Sequence, residues 1–231
     1  MRQIIFCFTG LYLWLSSAEG QIFRPGTEIG AFAGLSYYMG DINPRTHFYS
    51  PGISVGGLVK HNFTEHHCMR LNVFLGQLSG NDLEMSNEYQ RMRGQSFTAS
   101  VLDCHLGYEF NFMPYVINRW KKAHSPYIFA GFGYSLILSS STGTAENHTT
   151  IPFGLGFKYR FNAKAAIGFE WGLRKTFVDN LDGVLNPGPD GSHAMSHNND
   201  WYSFAGLYAT FKIFEKGYEC PGILKEEKKR K

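Results

Sequence analysis

The feature that most limits how this 231-residue chain can fold is a strict two-residue alternation that recurs along it. Eight segments, approximately 28–40, 52–61, 68–78, 97–112, 126–138, 150–161, 165–175 and 201–214, alternate large apolar residues with small, polar or charged ones. Side chains alternate across a strand, so each segment reads as a β-strand with two unlike faces. In "IPFGLGFKYRF" (151–161), one face is wholly apolar and the other is Pro, Gly, Gly, Lys and Arg. Over the eight segments the apolar face collects 43 positions with no charge, where a composition 18% charged would place about eight. The opposite face carries Glu28, Lys60, Arg70, Asp103, Glu109, Lys158, Arg160, Glu170, Arg174 and Lys212, together with a dozen glycines.

Volume decides which face is inside. An eight-stranded barrel has room for a filling of side chains or for one small ligand. It does not hold 43 mainly large side chains. Glycines on a solvated outer face only weaken strands, whereas in a narrow lumen they leave room for Arg and Lys. The expected fold is therefore all-β: an eight-stranded antiparallel transmembrane (outer-membrane) β-barrel, apolar towards lipid, with a plugged polar lumen. A β-sandwich with one wet face is the competing reading. Four acids against six bases in the lumen can form a paired network that lowers the cost of burying each charge.

The connections agree with a barrel. "HNFTEHH", "MPYVINRWKKAHS" and "NAK" form one series, and a longer series runs from "DINPRTHFYS" to the 176–199 loop. Short turns at one end and long loops at the other are the outer-membrane pattern, with the short turns periplasmic and the long loops extracellular. The 13-residue "MPYVINRWKKAHS" is the exception in its series. Met1-Arg2, an apolar run and "SSAEGQ" read as a signal peptide cleaved before Gln21. The division expected is thus signal peptide 1–20, barrel 21–214 and a charged periplasmic tail 215–231, with both mature termini periplasmic. A net charge of +3 is too weak to argue for nucleic acid.

Chemistry is sparse. Glu28 or Asp103 near His105 invites acid–base catalysis, but a lumen salt-bridge network is the simpler account. "HHC" at 66–68 places neighbouring residues on opposite strand faces and reads as a polar turn rather than a metal site. No catalytic, cofactor or metal residues are assigned, and the chain is read as non-enzymatic. Tyr37, Tyr38, Phe112, Tyr115, Tyr127, Trp171, Trp201 and Tyr202 fall near strand ends and are expected to form interfacial girdles. Of the mature cysteines, Cys104 is expected on the lipid face. Cys68 and Cys220 both fall at the periplasmic end, where a Cys68–Cys220 bridge, an intermolecular bridge through Cys220 and free thiols all stay open. The basic group Arg119, Trp120, Lys121 and Lys122, with Cys220 and Lys228, Lys229, Arg230 and Lys231, offers candidate contacts for a periplasmic partner.

"EIGAFAGLSYYMGDINP" (28–44) and "NNDWYSFAGLYATFKI" (198–213), supported by "RLNVFLGQLSGND" (70–82) and "EFNFMPY" (109–115), resemble the PorG-like outer-membrane barrel of the type IX secretion system of Bacteroidota. The resemblance spans nearly the whole mature chain and carries no catalytic signature. It implies a role in protein secretion: a barrel that anchors or organises a periplasmic ring built from a lipoprotein and its partner (PorK and PorN) at the Gram-negative outer membrane. A small OmpX-like barrel acting through extracellular loops in adhesion or surface protection is the alternative.

Overall fold

The computed structural model describes residues 26–39, 47–84, 92, 96–115, 123–141, 147–162, 164–177 and 200–215. The strands are β1 (Gly26–Met39), β2 (Gly52–Asn62), β3 (His67–Asn81), β4 (Ser96–Asn111), β5 (Ala123–Ser140), β6 (His148–Arg160), β7 (Ala165–Thr176) and β8 (Trp201–Glu215). A single 3-10 turn at Asp82–Glu84 follows β3. Each strand pairs antiparallel with its neighbours in sequence, and β8 closes on β1. Closure removes both sheet edges, so every strand finds backbone partners on two sides. The expected eight-stranded barrel is thus the fold observed.

Register sets its dimensions. Partners lead from Gly26 through Asn62, Cys68, Glu109, Phe129, Gly154, Gly172 and Phe204 to Ser36, a stagger of ten residues along β1. With strands about 4.8 Å apart and about 3.3 Å per residue, that stagger implies a tilt of about 40° and a backbone radius of about 8 Å. The ladder slips at Thr27/Glu28 and at Ser100/Val101, as β-bulges do.

The outer wall is apolar and bare. Ile53 is 71% exposed, Phe132 79% and Leu207 66%, and Leu71, Val73, Leu106, Ile128, Leu155, Ile167 and Phe211 continue the band around the barrel. Such a belt is far larger than a solvated protein leaves uncovered, and it suits hydrocarbon. Three of the descending strands, β2, β4 and β6, run directly into an exposed phenylalanine at the short-turn end: Phe63, Phe112 and Phe161. Where Ala31, Ala33 and Ala209 replace larger residues, a groove of about 540 Å³ opens between Phe157, Phe169 and Leu207.

The expected aromatic girdle needs correcting. Tyr37, Trp171, Trp201 and Phe112 do lie on the outer side, with Trp171 Nε1 donating to the Tyr37 hydroxyl at 2.9 Å. Tyr38, Tyr127 and Tyr202 instead share the parity of the charged set and point inward, at most 1% exposed. Tyr115, beyond the end of β4, is also buried. At the long-loop end, Phe48 packs on Tyr37 at 4.7 Å although its φ is 59°, and Ser50 has φ 44°. These left-handed residues cost about 1–2 kcal/mol each. The segment is held by Tyr49 donating to the Asn81 carbonyl at 3.1 Å and by the Ser50–Ser79 hydroxyl pair at 2.8 Å.

Candidate functional site

The lumen gathers nearly all the polar chemistry of the barrel, in tiers. Nearest the short-turn end, Glu28 accepts from Arg160 Nη2 at 2.6 Å, Thr210 Oγ1 at 2.9 Å and Asn62 Nδ2 at 3.1 Å. Just above, Glu109 is shared by three cations: Lys158 at 2.6 Å, Lys60 at 2.9 Å and Arg70 at 3.4 Å. Arg70 also reaches Glu170 at 2.5 Å, and Tyr127 donates to the same carboxylate at 3.0 Å. Lys60 lies 4.2 Å from the Tyr208 ring centroid, and Arg70 lies 4.4 Å from that of Phe129. Strand alternation delivers each of these side chains inward, and the stagger brings them to similar heights from distant parts of the chain.

At mid-height the lumen is aromatic. Phe32 stacks on Phe74 at 4.4 Å, Phe74 meets Phe204 edge-on at 5.5 Å, and Phe129 faces His105 at 6.5 Å. Glycine makes this possible, because facing pairs Gly34–Gly206, Gly107–Gly131 and Gly154–Gly172 thin the wall. A Cβ at Gly56 would stand 2.3 Å from the Phe74 ring, at Gly156 2.4 Å from Tyr127, at Gly168 2.4 Å from Tyr208 and at Gly76 2.5 Å from Phe204. The expectation that glycine makes room for Arg and Lys is therefore mostly replaced: aromatic rings take the space, and Gly107 beside Arg70 and Gly172 beside Arg174 are the cationic cases. A ring can lie flat on a Cβ-free backbone. A cation gains more from a carboxylate and a π face further into the lumen.

Towards the long loops, Asp103 accepts from His105 Nδ1 at 2.6 Å, from the Tyr202 hydroxyl at 2.7 Å and from Ser135 Oγ at 3.3 Å, with Arg174 Nε at 3.9 Å. The amide of Asn72 lies 2.9 Å from His105 Nε2 and beside Arg70, so it joins this cluster to the one below. Ser135 and His105 hold different oxygens of one carboxylate. The imidazole is thus not placed to take the serine proton, as a nucleophile–base pair requires. Tyr38 and Asp200 form a further buried hydrogen bond above.

The lumen is filled from end to end. Lys60, Arg70, Asp103, Glu109, Glu170, Arg174, Phe74 and Phe204 are each no more than 1% exposed. A water-filled channel of the porin kind would leave these side chains wet.

The long connection in the short-turn series explains Tyr115. The chain beyond β4 turns under the barrel, where Tyr115 N–H donates to the Glu65 carbonyl at 3.0 Å. Its ring then covers Lys158 at 4.1 Å and Arg160 at 4.4 Å, and Arg160 Nε donates to its hydroxyl at 3.4 Å. Burial pushes the Tyr115 phenol well above its ordinary range. Sequence reading missed this cap and the inward aromatics. Parity was the available signal for Phe32, Phe74, Phe129 and Phe204, which alternate in step with the charged residues.

The structure brings together nine of the ten expected lumen charges in contacts of these kinds. The tenth, Lys212, stands opposite Glu28 on β8, half-buried, and is engaged as well. Cys104 is exposed on the outer wall, and Cys68 is buried with its thiol donating to the Met69 carbonyl at 3.4 Å. Cys220, Arg119, Trp120, Lys121, Lys122 and Lys228 to Lys231 lie outside the described residues, as do the signal peptide, most of the 176–199 loop and residues 216–231.

The barrel is similar to the solved structure of Neisserial surface protein A, at 9% identity and a TM-score of 0.50, covering 84% of this chain and 100% of that one. It is also similar to the outer membrane protein OprG from Pseudomonas aeruginosa, at 13% identity and a TM-score of 0.46, covering 83% and 97%. The N-terminal β-barrel domain of Pseudomonas aeruginosa OprF matches at 17% identity and a TM-score of 0.39, covering 84% and 100%. The first of these likenesses is one of fold, that of small outer-membrane barrels. No curated protein sequence matches. The model of the family described as a domain of unknown function, DUF6089, matches residues 2–222, and the chain belongs to that family.

Proposed function

We propose that this chain is a non-enzymatic outer-membrane anchor whose work is done at its ends, not through its centre. The single observation that supports this reading is the filled lumen: fixed ion pairs and stacked rings occupy the path a solute would take. The eight strands act as a lipid-embedded peg, with short turns in the periplasm and long loops outside. The partner is a periplasmic assembly, and the resemblance to PorG-like barrels names its class: the type IX secretion ring of a lipoprotein and its companion (PorK and PorN). Arg119, Trp120, Lys121, Lys122, Cys220 and Lys228 to Lys231 are the contact candidates, because in sequence they follow β4 and β8, the strands that end at the short-turn side.

The test is crosslinked affinity purification of the tagged chain from detergent-solubilised outer membranes, with mass spectrometry of what is retained. Ring components recovered at stoichiometric level, and lost on truncation after Phe214 or on replacing 119–122, are the expected result. Recovery of a heat-modifiable barrel alone would refute the anchor and move the function to the long loops, as in an OmpX-like surface barrel.

A further inference from the structure

Among the described, fully buried residues, the short-turn mouth of the lumen carries more positive than negative charge. Lys60, Arg70, Lys158 and Arg160 meet Glu28, Glu109 and Glu170, four buried cations to three carboxylates. Glu109 already serves three of those cations. The outermost pair, Lys158 and Arg160, makes up the deficit with the π face of Tyr115 at 4.1 and 4.4 Å. Arg160 is 2% exposed, and its Nη1 is buried with no hydrogen-bond partner while Nη2 and Nε bond Glu28 and the Tyr115 hydroxyl. A ring quadrupole is a weak substitute for an anion beside two cations in a poorly solvated site.

We propose that this mouth is an oxyanion socket, closed in the resting chain by Tyr115, which takes a carboxylate or phosphate group in the ring's place. Tyr115 belongs to a connection rather than to a strand, so it can leave without breaking the barrel ladder. The group that replaces it is side-chain-sized and monodentate or bidentate towards Arg160, with Lys158 as second cation. The aromatic tier above Glu170 stops it from passing further, so the socket binds and does not conduct. This deepens the anchoring proposal and rests on it for the socket's partner: an acidic segment docking at the short-turn end would unlock Tyr115. A free phosphate compound is the other source of the same chemistry.

The experiment uses the full chain in lipid nanodiscs, titrated calorimetrically with hexaglutamate, with inorganic pyrophosphate and with hexaglutamine as neutral control. Tyr115→Ala is expected to bind one of the two anions about tenfold tighter than the wild type, the factor given by about 1.4 kcal/mol of lost ring–cation competition. Arg160→Gln in the same background is expected to abolish the gain. Tyr115→Leu, which keeps an apolar plug without a π face, should shift affinity in the same direction by less. Heat-modifiable migration on gels reports that each variant is folded. Binding of hexaglutamate alone assigns the socket to protein carboxylates, and binding of pyrophosphate alone assigns it to phosphates. Equal affinity in wild type and Tyr115→Ala, no binding of either anion, or binding that survives Arg160→Gln would overturn the socket. A ring partner recovered while no anion binds would refute the socket and leave the anchor standing.

Discussion

Replacing Glu109 by Gln removes the one counterion shared by Lys158, Lys60 and Arg70 while keeping the side chain's shape. Each contact would be worth about 4 kcal/mol at an effective dielectric of about 20 and a charge separation of about 4 Å. Their sum overstates the loss, because Arg70 keeps Glu170 and Lys60 keeps the Tyr208 hydroxyl at 3.1 Å. Lys158 has no second carboxylate in the network, so the net cost centres on one stranded cation. Breaking a buried pair in this way costs about 3–5 kcal/mol. The assay is urea unfolding of the barrel in lipid vesicles, followed by tryptophan fluorescence and by gel migration of the folded form. Glu109→Gln should lower stability by that amount, and adding Lys158→Met should restore roughly half, because the stranded charge goes with it. A Glu109→Gln barrel within about 0.5 kcal/mol of wild type would refute the network as a source of stability.

Two adjacent glycines test the face assignment. Gly56→Ala should destabilise by about 1–3 kcal/mol through collision with Phe74, whereas Gly57→Ala, whose Cβ would meet only the Gly30 carbonyl at 3.9 Å, should be neutral or slightly stabilising. The same unfolding assay reads both, and equal effects would contradict the inward aromatic tier. A lipid-soluble maleimide should label Cys104 on the folded barrel and leave Cys68 unlabelled until unfolding; labelling of Cys68 only after unfolding with reductant would reveal a bridge to Cys220. Tyr37→Phe should cost about 0.5–1.5 kcal/mol through the lost acceptor for Trp171, and a blue-shifted tryptophan emission would be its optical signature.

Strand number, the outward apolar set and most of the charged lumen are legible in the sequence. Each rests on the two-residue period, which is local: a residue's face follows from its neighbours' parity, as Lys158 and Arg160 show. The inward turn of Tyr38, Tyr127 and Tyr202 was also written in that parity. The preference of tyrosine for membrane boundaries points the other way, and at these three positions parity wins. Tyr115 could not be read this way, because it lies in a connection with no period.

Pairing is what the tertiary structure alone decided. Glu28 meets Arg160 across 132 positions of sequence, and Arg70 meets Glu170 across 100. The ten-residue stagger sets those heights, and stagger is a property of the closed sheet rather than of any strand. The same closure packs the lumen with side chains and sets rings against glycine. Alternation determined which residues enter the barrel; register determined which of them touch.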